Sequence, residues 1–316
     1  MFDHTKRYLT KAGGALEAIR HITLPERLKE HFGENSMWAV RKGIPFKVKS
    51  FSELIRVTAE ISCHNPSIMT LYRGQRNDWE NDKGTTLFPS LYRWNGEKGP
   101  GRAEMNARLN RLNKMTVALL ETVEQAIKCG EIDEASVNYR QLLRRPGLAW
   151  AVLQHYGYCP TPYLDVTQSL RMACMFALDG ARKQDRPCVY VLGFPFVYDK
   201  FFRDSNAELS VTRLLSAMPP VAKRAYYQEG YLVGSELGLT RYTPKHDVSQ
   251  RLLAKFELTG NRAEWLRELS TFARQDVYSE DFFSQIRSQV VSKVDKSNEQ
   301  LSVDLPAQPE RFPSLG

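Results

Sequence analysis

The sequence predicts an α+β domain, and two observations support this fold class. Runs with strand periodicity and runs with helix periodicity both occur, but they do not alternate in a regular βαβ order. The chain has 316 residues, of which 42% are hydrophobic, and this is enough for a sizeable core. We expect one α+β domain over residues 50–295, a basic segment over 1–49 and a flexible tail over 296–316.

The N-terminal third of the chain begins with the basic segment. Residues 1–49 hold ten Lys or Arg against five Asp or Glu, and a helical apolar pattern runs through Leu16 and Ile22. The segment is either an appended arm or an extra layer on the core. Apolar spacing then predicts a helix over 51–62 and a strand that ends at Gly74. Residues 77–101 are rich in Asn, Asp, Gly and Pro, which predicts loop.

A long amphipathic helix is predicted over 102–127, because apolar residues recur there every three or four positions. Its other sides carry four basic residues, Arg102, Arg108, Arg111 and Lys114. They form either a solvated face or a contact for a polyanion.

The remaining elements follow from the same two periodicities. We expect helices over 148–156, closed by Gly157, and over 168–183, with strands over 162–167, 187–195, 230–236 and 251–258. Asn261 and Glu264 have the spacing of a helix-capping pair, and Ser279 is expected to open a last helix. The Pro-rich end of the chain predicts the flexible tail.

Composition excludes several classes of protein. No apolar run approaches the roughly 18 residues of a membrane-spanning helix, and the N-terminus offers no leader pattern, so we expect a cytoplasmic protein. The five cysteines include no CxxC pair, which predicts reduced thiols and no metal site. The chain has no phosphate loop, no GxGxxG after a strand and no HExxH. The net charge of +8 favours partners that carry phosphate or are polyanionic, such as nucleic acid.

Three stretches hold the candidate functional residues. In the first, Arg73 lies at a strand end beside Gly74, where it could bind a pair of phosphates while the glycine lets a ligand approach the backbone. The alternative is a surface arginine before a turn.

The third stretch, at the other end of the predicted domain, places Gln228 and Glu229 before Gly230 and a strand. If that strand is regular there, only one of Gln228 and Glu229 can face a pocket.

The second stretch packs five polar side chains into thirteen positions around a turn and a helix start, namely His155, Tyr156, Thr161, Asp165 and Thr167. Such density beside an apolar helix indicates a lined pocket. In the alternative, Asp165 or Thr167 caps the following helix and His155 is a satisfied core histidine.

Taken together, these stretches resemble the FRG domain family over roughly residues 50–290. The matching pieces, in chain order, are Tyr72-Arg73-Gly74-Gln75, Trp79, Pro89-Ser90-Leu91 with Arg93, Gln154-His155-Tyr156-Gly157, Pro160-Thr161, Leu164-Asp165, Thr167, Phe176-Ala177 and Gln228 with Gly230. The chain departs from the family pattern at Pro162-Tyr163, where Arg-Leu is usual, and at Val166, where Trp is common.

The family's arrangement is similar in turn to that of ADP-ribosyltransferases, which implies a split β-sandwich with helices and NAD as substrate. The resemblance makes Glu229, Arg73 and Asp165 the candidate catalytic residues. The candidate NAD-binding residues are Tyr72, Arg73, Gly74, Gln75, His155, Tyr156, Thr161, Thr167, Phe176 and Gln228. Carboxylates suit this chemistry because positive charge builds on the ribose as the glycosidic bond breaks.

The resemblance also implies a biological setting, because several such proteins are toxins or phage-defence effectors. In this setting we expect a neutralising antitoxin partner, and the net charge and the basic helix favour nucleic acid (RNA or DNA) as the acceptor. Two alternatives stay open. One is a non-catalytic module that binds a nucleotide or a protein, and the other is an NAD glycohydrolase.

Overall fold

The computed structural model describes residues 22–33, 35–94, 100–204, 208–236, 239, 244–269, 278 and 280–298. An eight-stranded sheet forms its centre, in the spatial order β1-β10-β6-β2-β5-β9-β8-β7. In chain order these strands are β1 Phe46–Val48, β2 Met69–Gln75, β5 Tyr163–Thr167, β6 Cys188–Phe194, β7 Phe201–Asp204, β8 Leu209–Arg213, β9 Gly230–Gly234 and β10 Leu252–Leu258. Strands β3 Glu80–Asn81 and β4 Gly84–Thr85 form a separate hairpin. Strands β1 and β10 run parallel, and the other described neighbours are antiparallel.

The sheet is nearly divided between β2 and β5. These strands share a single residue pair, Tyr72 with Thr167, whereas β2 pairs with β6 along its whole length. Two four-stranded halves therefore meet at one point. Apolar side chains of both halves, such as Leu71 and Val233, belong to one buried cluster, the first core.

Helices pack on both halves of the sheet. They are α1 Glu26–Phe32, α2 Met37–Lys42, α3 Phe51–His64, α4 Arg102–Lys128, α5 Glu134–Val137, α6 Tyr139–Arg144, α7 Pro146–His155, α8 Leu170–Leu178, α9 Leu214–Ala217, α10 Lys223–Tyr227, α11 Arg262–Leu269, α12 Phe282–Gln285 and α13 Arg287–Asn298. Short 3₁₀ turns span Ser90–Tyr92, Pro244–His246 and Val248–Arg251. The second core joins α4, α7 and α13 to the β5–β9 half through Tyr163 and Leu232. This architecture confirms the predicted α+β class.

The described part of the N-terminal segment forms an extra layer on the core. Ile22, Leu24 and Leu28 are buried in the first core, and β1 adds an edge strand beside β10. Burial of these side chains stabilises their contact with the sheet, at roughly 25 cal/mol per Å² of apolar surface. The helix expected around Leu16 lies outside the described residues.

Helix boundaries differ from the sequence predictions in two places. The helix expected over 168–183 ends at Leu178, because Gly180 takes a left-handed φ of +61° just beyond it. Its N-cap is Ser169, whose side chain accepts from Met172, so neither Asp165 nor Thr167 is the cap. The last helix is interrupted at Ile286 and begins after Asp281, which caps it, while Ser279 lies outside the described residues. The tail beyond 298 lies outside them as well.

Two of the four basic side chains on α4 are paired with other groups of the protein. Arg108 is buried, donates to the carbonyls of Leu91 and Arg93 and pairs with Glu104 at 2.8 Å. Arg111 pairs with Asp295. The expectation of a polyanion contact on this face therefore loses two of its four charges. Within the described residues, no helix has both the length and the apolar composition needed to cross a membrane.

Candidate functional site

The predicted motifs meet beside the split in the sheet, where β5 ends and β9 begins. Tyr72 on β2 lies opposite Thr167 at the end of β5, and Thr167 lies opposite Gly230 at the start of β9. Arg73, next to Tyr72 in the middle of β2, therefore lies beside the last residues of β5, and the end of β5 adjoins the turn formed by Gln228 and Glu229. We call Arg73, Thr167, Gln168, Gln228 and Glu229 the strand-end site.

Arg73 bridges the two halves of the sheet. The half-buried side chain donates from Nη1 to the backbone carbonyl of Asp165 at 2.5 Å. This contact spans the split between β2 and β5 at the point where strand pairing stops. The guanidinium is therefore held at the split, where its fork of donors suits a planar or tetrahedral oxyanion.

Gly74 serves helix packing. A Cβ atom built at this position would lie 1.8 Å from the carbonyl oxygen of Ala173 and 2.7 Å from the amide nitrogen of Ala177, both on α8. The space that a side chain would occupy at Gly74 is filled by the backbone of α8. The expectation that the missing side chain makes room for a ligand is therefore wrong. The absent side chain lets α8 lie directly against β2.

Asp165 is the hub of a hydrogen-bond network beneath the strand-end site. Its Oδ2 accepts from the Gln154 amide at 2.5 Å, and its Oδ1 lies 3.2 Å from His155 Nδ1. Burial acts to raise the pKa of this carboxyl, but the hydrogen bonds with His155 and Gln154 and the charge of Arg73 outweigh it and hold the pKa below its usual value. Asp165 is therefore ionised at neutral pH, and 36% of its side-chain surface stays open to solvent.

His155 is oriented by Asp165. A carboxylate at Nδ1 favours the tautomer that carries the proton on Nδ1, which leaves Nε2 as an acceptor in the neutral ring. The His155 side chain is 2% exposed, and Nε2 is buried with no hydrogen-bond partner among the described residues. The ring also lies close to the start of β9, since Cε1 is 3.5 Å from the Cβ position of Gly230.

Thr161 supports this network from below. Its hydroxyl donates to Gln154 Oε1 at 2.5 Å, and its backbone amide donates to the Ser90 hydroxyl at 3.0 Å. Thr161 is fully buried, so these contacts link two separate motif segments and orient the Gln154 amide towards Asp165. Thr161 stabilises the site from within the core.

Gln228 and Glu229 form a turn, and the expected strand alternation does not apply to them. Gln228 ends α10 in a helical conformation, Glu229 takes a left-handed φ of +46°, and β9 begins only at Gly230. Left-handed residues after a helix satisfy its last carbonyls, and Glu229 does so through the bond from its amide to the Tyr226 carbonyl.

Two side chains of β5 and its extension fix this turn. The Thr167 hydroxyl donates to the Gln228 carbonyl at 2.7 Å, and the Gln168 side-chain amide donates to the Glu229 carboxylate at 3.1 Å. Glu229 is half-buried at the edge of the sheet. The hydrogen bond from Gln168 therefore orients the Glu229 carboxylate within the strand-end site.

The candidate aromatic residues are distributed among different environments. Tyr156 is buried in the second core, where its hydroxyl donates to Asp281 at 2.6 Å and the Arg224 guanidinium lies 4.9 Å from its ring centre. Phe176 is half-buried on α8 and contacts Tyr278. Tyr72 packs half-buried against the first core beside the split. Of the three, Tyr72 is the ring that the strand pairing places at the strand-end site.

Two buried acceptors near the site have no partner among the described residues, namely Nε2 of His155 and Oε1 of Gln75. Gln75 lies two positions after Arg73 on β2 and so shares its face. An unsatisfied buried polar atom costs about 1–3 kcal/mol. An amide or hydroxyl donor would satisfy either atom.

Sequence reasoning did not select Gln154 and Gln168. Gln154 connects Thr161 to Asp165, and Gln168 connects Glu229 to the hydroxyl of Tyr231. Gln154 precedes His155 within a motif that was identified, which was the available signal. Only the pairing of β5 with β9 brings Gln168 to Glu229, and no local pattern indicates it.

Comparison with known protein families shows that the chain contains an FRG domain, since residues 69–186 match the sequence model of that domain. The match covers less than half of the chain. It includes Arg73, His155, Asp165 and Thr167 but ends before the Gln228–Glu229 turn. No curated protein and no solved structure matches the chain.

Proposed function

From the FRG domain that this chain contains, we propose that the protein is an NAD-dependent ADP-ribosyltransferase that modifies a macromolecule. The observation that carries the proposal is that Arg73, on β2 at the split, lies beside the end of β5, which carries Thr167 and adjoins the Gln228–Glu229 turn. A cationic group, a carboxylate and neutral hydrogen-bonding groups around the end of one strand suit a dinucleotide that carries two phosphates and two riboses.

The residues of the site fit NAD. The donors of the Arg73 guanidinium suit the pyrophosphate, and the carboxamide and hydroxyl donors of NAD suit the unpartnered acceptors of Gln75 and His155. Tyr72 supplies an aromatic face beside the split. Thr167 acts on the turn that bears Glu229, through its bond to the Gln228 carbonyl.

The proposed reaction breaks the bond between ribose C1′ and the nicotinamide nitrogen, and the bonding electron pair leaves with nicotinamide. The acceptor nucleophile forms a bond to C1′ and loses a proton. Positive charge develops on the ribose, and the Glu229 carboxylate, oriented by Gln168, stabilises it through the ribose hydroxyls. Asp165 contributes negative charge from beneath while it holds His155 and Gln154 in place.

We favour nucleic acid as the acceptor because of the net charge of +8, in a toxin or phage-defence setting in which a partner protein neutralises the enzyme. We place the activity in the cytoplasm, since all five cysteines are free thiols.

A second candidate function is a non-catalytic module that binds a nucleotide or a protein. It is favoured by one specific observation, which is that both Asp165 oxygens already take part in internal hydrogen bonds. In this case the polar network is structural and the site only binds. A glycohydrolase would use the same residues, with water as the acceptor.

The test incubates the protein with NAD labelled in the adenylate phosphate and with separate pools of RNA, DNA and cell protein. Label is expected in one nucleic acid pool and is expected to disappear in Arg73→Lys and Glu229→Gln. Glu208→Gln is the matched control, because Glu208 has the same residue type and a similar left-handed φ of +48° at the other end of the sheet. Retained transfer in folded Glu229→Gln removes Glu229 from the mechanism.

The same incubation separates the alternatives. Release of nicotinamide without label in any pool identifies a glycohydrolase. Binding of NAD with neither release nor transfer identifies the binding module.

A further inference from the structure

A polar cavity lies at the opposite end of β5 and β9 from the strand-end site. Gly234, which lines it, pairs with Tyr163 at the start of β5, four residues before Thr167, so about 13 Å of strand separates the two places. The cavity has a volume of about 40 Å³. Its polar lining includes Glu208, Lys245, His246, Asp247, Gln250 and Arg251. We call it the Arg251 cavity.

Arg251 is a buried cation, and no salt bridge to it occurs among the described residues. The residue is 6% exposed, and its Nη1 is buried with no hydrogen-bond partner among the described residues. Its guanidinium carbon lies 5.5 Å from the ring centre of Phe194, which leaves part of its surroundings apolar. Burial lowers the pKa of Arg251 to about 10, although the charge of Asp204 acts in the opposite direction. A buried cation in this state is stabilised by an anion that enters the cavity.

The acidic residues that line the cavity are already paired with other cations. Asp247 pairs with Arg41 at 2.5 Å through one oxygen, and its other oxygen accepts from the Leu87 and Ser249 amides. Glu208 pairs with Lys245 at 2.9 Å at the exposed side of the cavity. Neither carboxylate forms a salt bridge with Arg251 in the described structure.

The volume of the cavity limits the size of its ligand. One water needs about 10–15 Å³, so a cavity of about 40 Å³ accepts a group of a few heavy atoms and excludes a nucleoside. A tetrahedral oxyanion matches this size and also supplies the missing negative charge. Arginine binds phosphate oxygens in a fork geometry, and Lys245 at the exposed side can add a point charge.

We propose that the Arg251 cavity binds a phosphate group, with Arg251 as the principal ligand and Lys245 as the outer one. The group comes either from inorganic phosphate or from the end of a phosphomonoester. The site is distinct from the strand-end site and does not depend on NAD chemistry.

The experiment measures the thermal unfolding midpoint of the full chain with inorganic phosphate, ribose 5-phosphate or chloride, at matched ionic strength. Phosphate is expected to raise the midpoint above that in chloride, because a ligand that binds the native state stabilises it. In Arg251→Met, which keeps an apolar stem, phosphate affinity is expected to fall about tenfold or more. Lys245→Gln is expected to lose part of the shift.

Arg140→Met is the control, since it removes an exposed arginine that pairs with Glu134 outside the cavity, and it is expected to keep the full phosphate shift. Equal midpoints in phosphate and chloride for the unaltered protein overturn the proposal, whether or not the variants fold. A shift that survives in Arg251→Met but disappears in Arg73→Met also overturns it. Equal shifts from phosphate and ribose 5-phosphate identify the phosphomonoester end as a ligand, whereas a shift from inorganic phosphate alone identifies the free ion.

Discussion

Gly74→Ala is expected to separate two roles of the motif glycine. The new Cβ would lie 1.8 Å from the Ala173 carbonyl oxygen, and Cβ contacts under 3.0 Å essentially never occur. Helix α8 must therefore move away from β2 by at least 1.2 Å, which is the difference between these two distances. Ala173 and Ala177 are fully buried, so the retreat weakens the packing of α8 on β2. Overpacking costs about 1–3 kcal/mol, and we expect about 3 kcal/mol because the obstacle is backbone.

The assay is urea unfolding followed by circular dichroism, with NAD binding measured on the folded fraction. Gly101→Ala is the control, since nothing lies within 4 Å of its Cβ position, and it should change the free energy of unfolding by less than about 1 kcal/mol. A Gly74→Ala protein that is as stable as the control and fails only to bind NAD would refute the packing role. It would restore the expectation that this glycine admits a ligand.

Three further changes probe the polar network and the backbone. Asp165→Asn should lower the free energy of unfolding in urea by about 2 kcal/mol at pH 7. The folded-state pKa of Asp165 is depressed, so its stabilisation exists above the unfolded pKa of about 3.9 and is lost as the pH falls below it. A penalty that is equal at pH 7 and pH 3 contradicts this account. Glu229→Gly should leave the free energy of unfolding unchanged or raise it by up to about 1 kcal/mol, while Glu229→Val should lower it. The reason is the left-handed φ of +46° at this position, which glycine adopts freely and valine does not. The reverse order would show that no strain resides there. Lys255→Met should cost about 3–5 kcal/mol by leaving the carboxylate of Asp78, now 2.8 Å from the ammonium, without its partner. Adding Asp78→Asn should recover part of that loss in the same urea assay, and a double variant no more stable than the single one argues against the pairing.

Local pattern predicted the long elements well. Apolar spacing gave the helix at Phe51–His64 and the long helix at Arg102–Lys128, and β-branched content gave the strand at Cys188–Phe194. Each of these elements is long enough to show its own periodicity. The short strands β1, β7 and β8 did not stand out, because three to five residues hold too few repeats to distinguish a strand from a loop.

The candidate site was predicted as a set of residues, but the individual roles depended on the fold. Arg73 and Glu229 were selected, and strand pairing places them on either side of β5 near its end. Gly74 and Tyr156 were selected as well, but helix packing and the second core account for their positions. Nothing in the sequence singled out Arg251, whose burial depends on the packing of β6 and the turn before β10.

The sequence by itself determined the α+β class, the main periodic elements and the order of the family motifs, because these depend on neighbours along the chain. The tertiary structure decided that β2 and β5 touch at a single pair, that Asp165 joins Gln154 to His155, and that Glu229 belongs to a turn. These features depend on contacts between residues far apart in sequence. Such contacts form only when burial of the two cores offsets the entropy of closing long loops, and no local pattern encodes that balance.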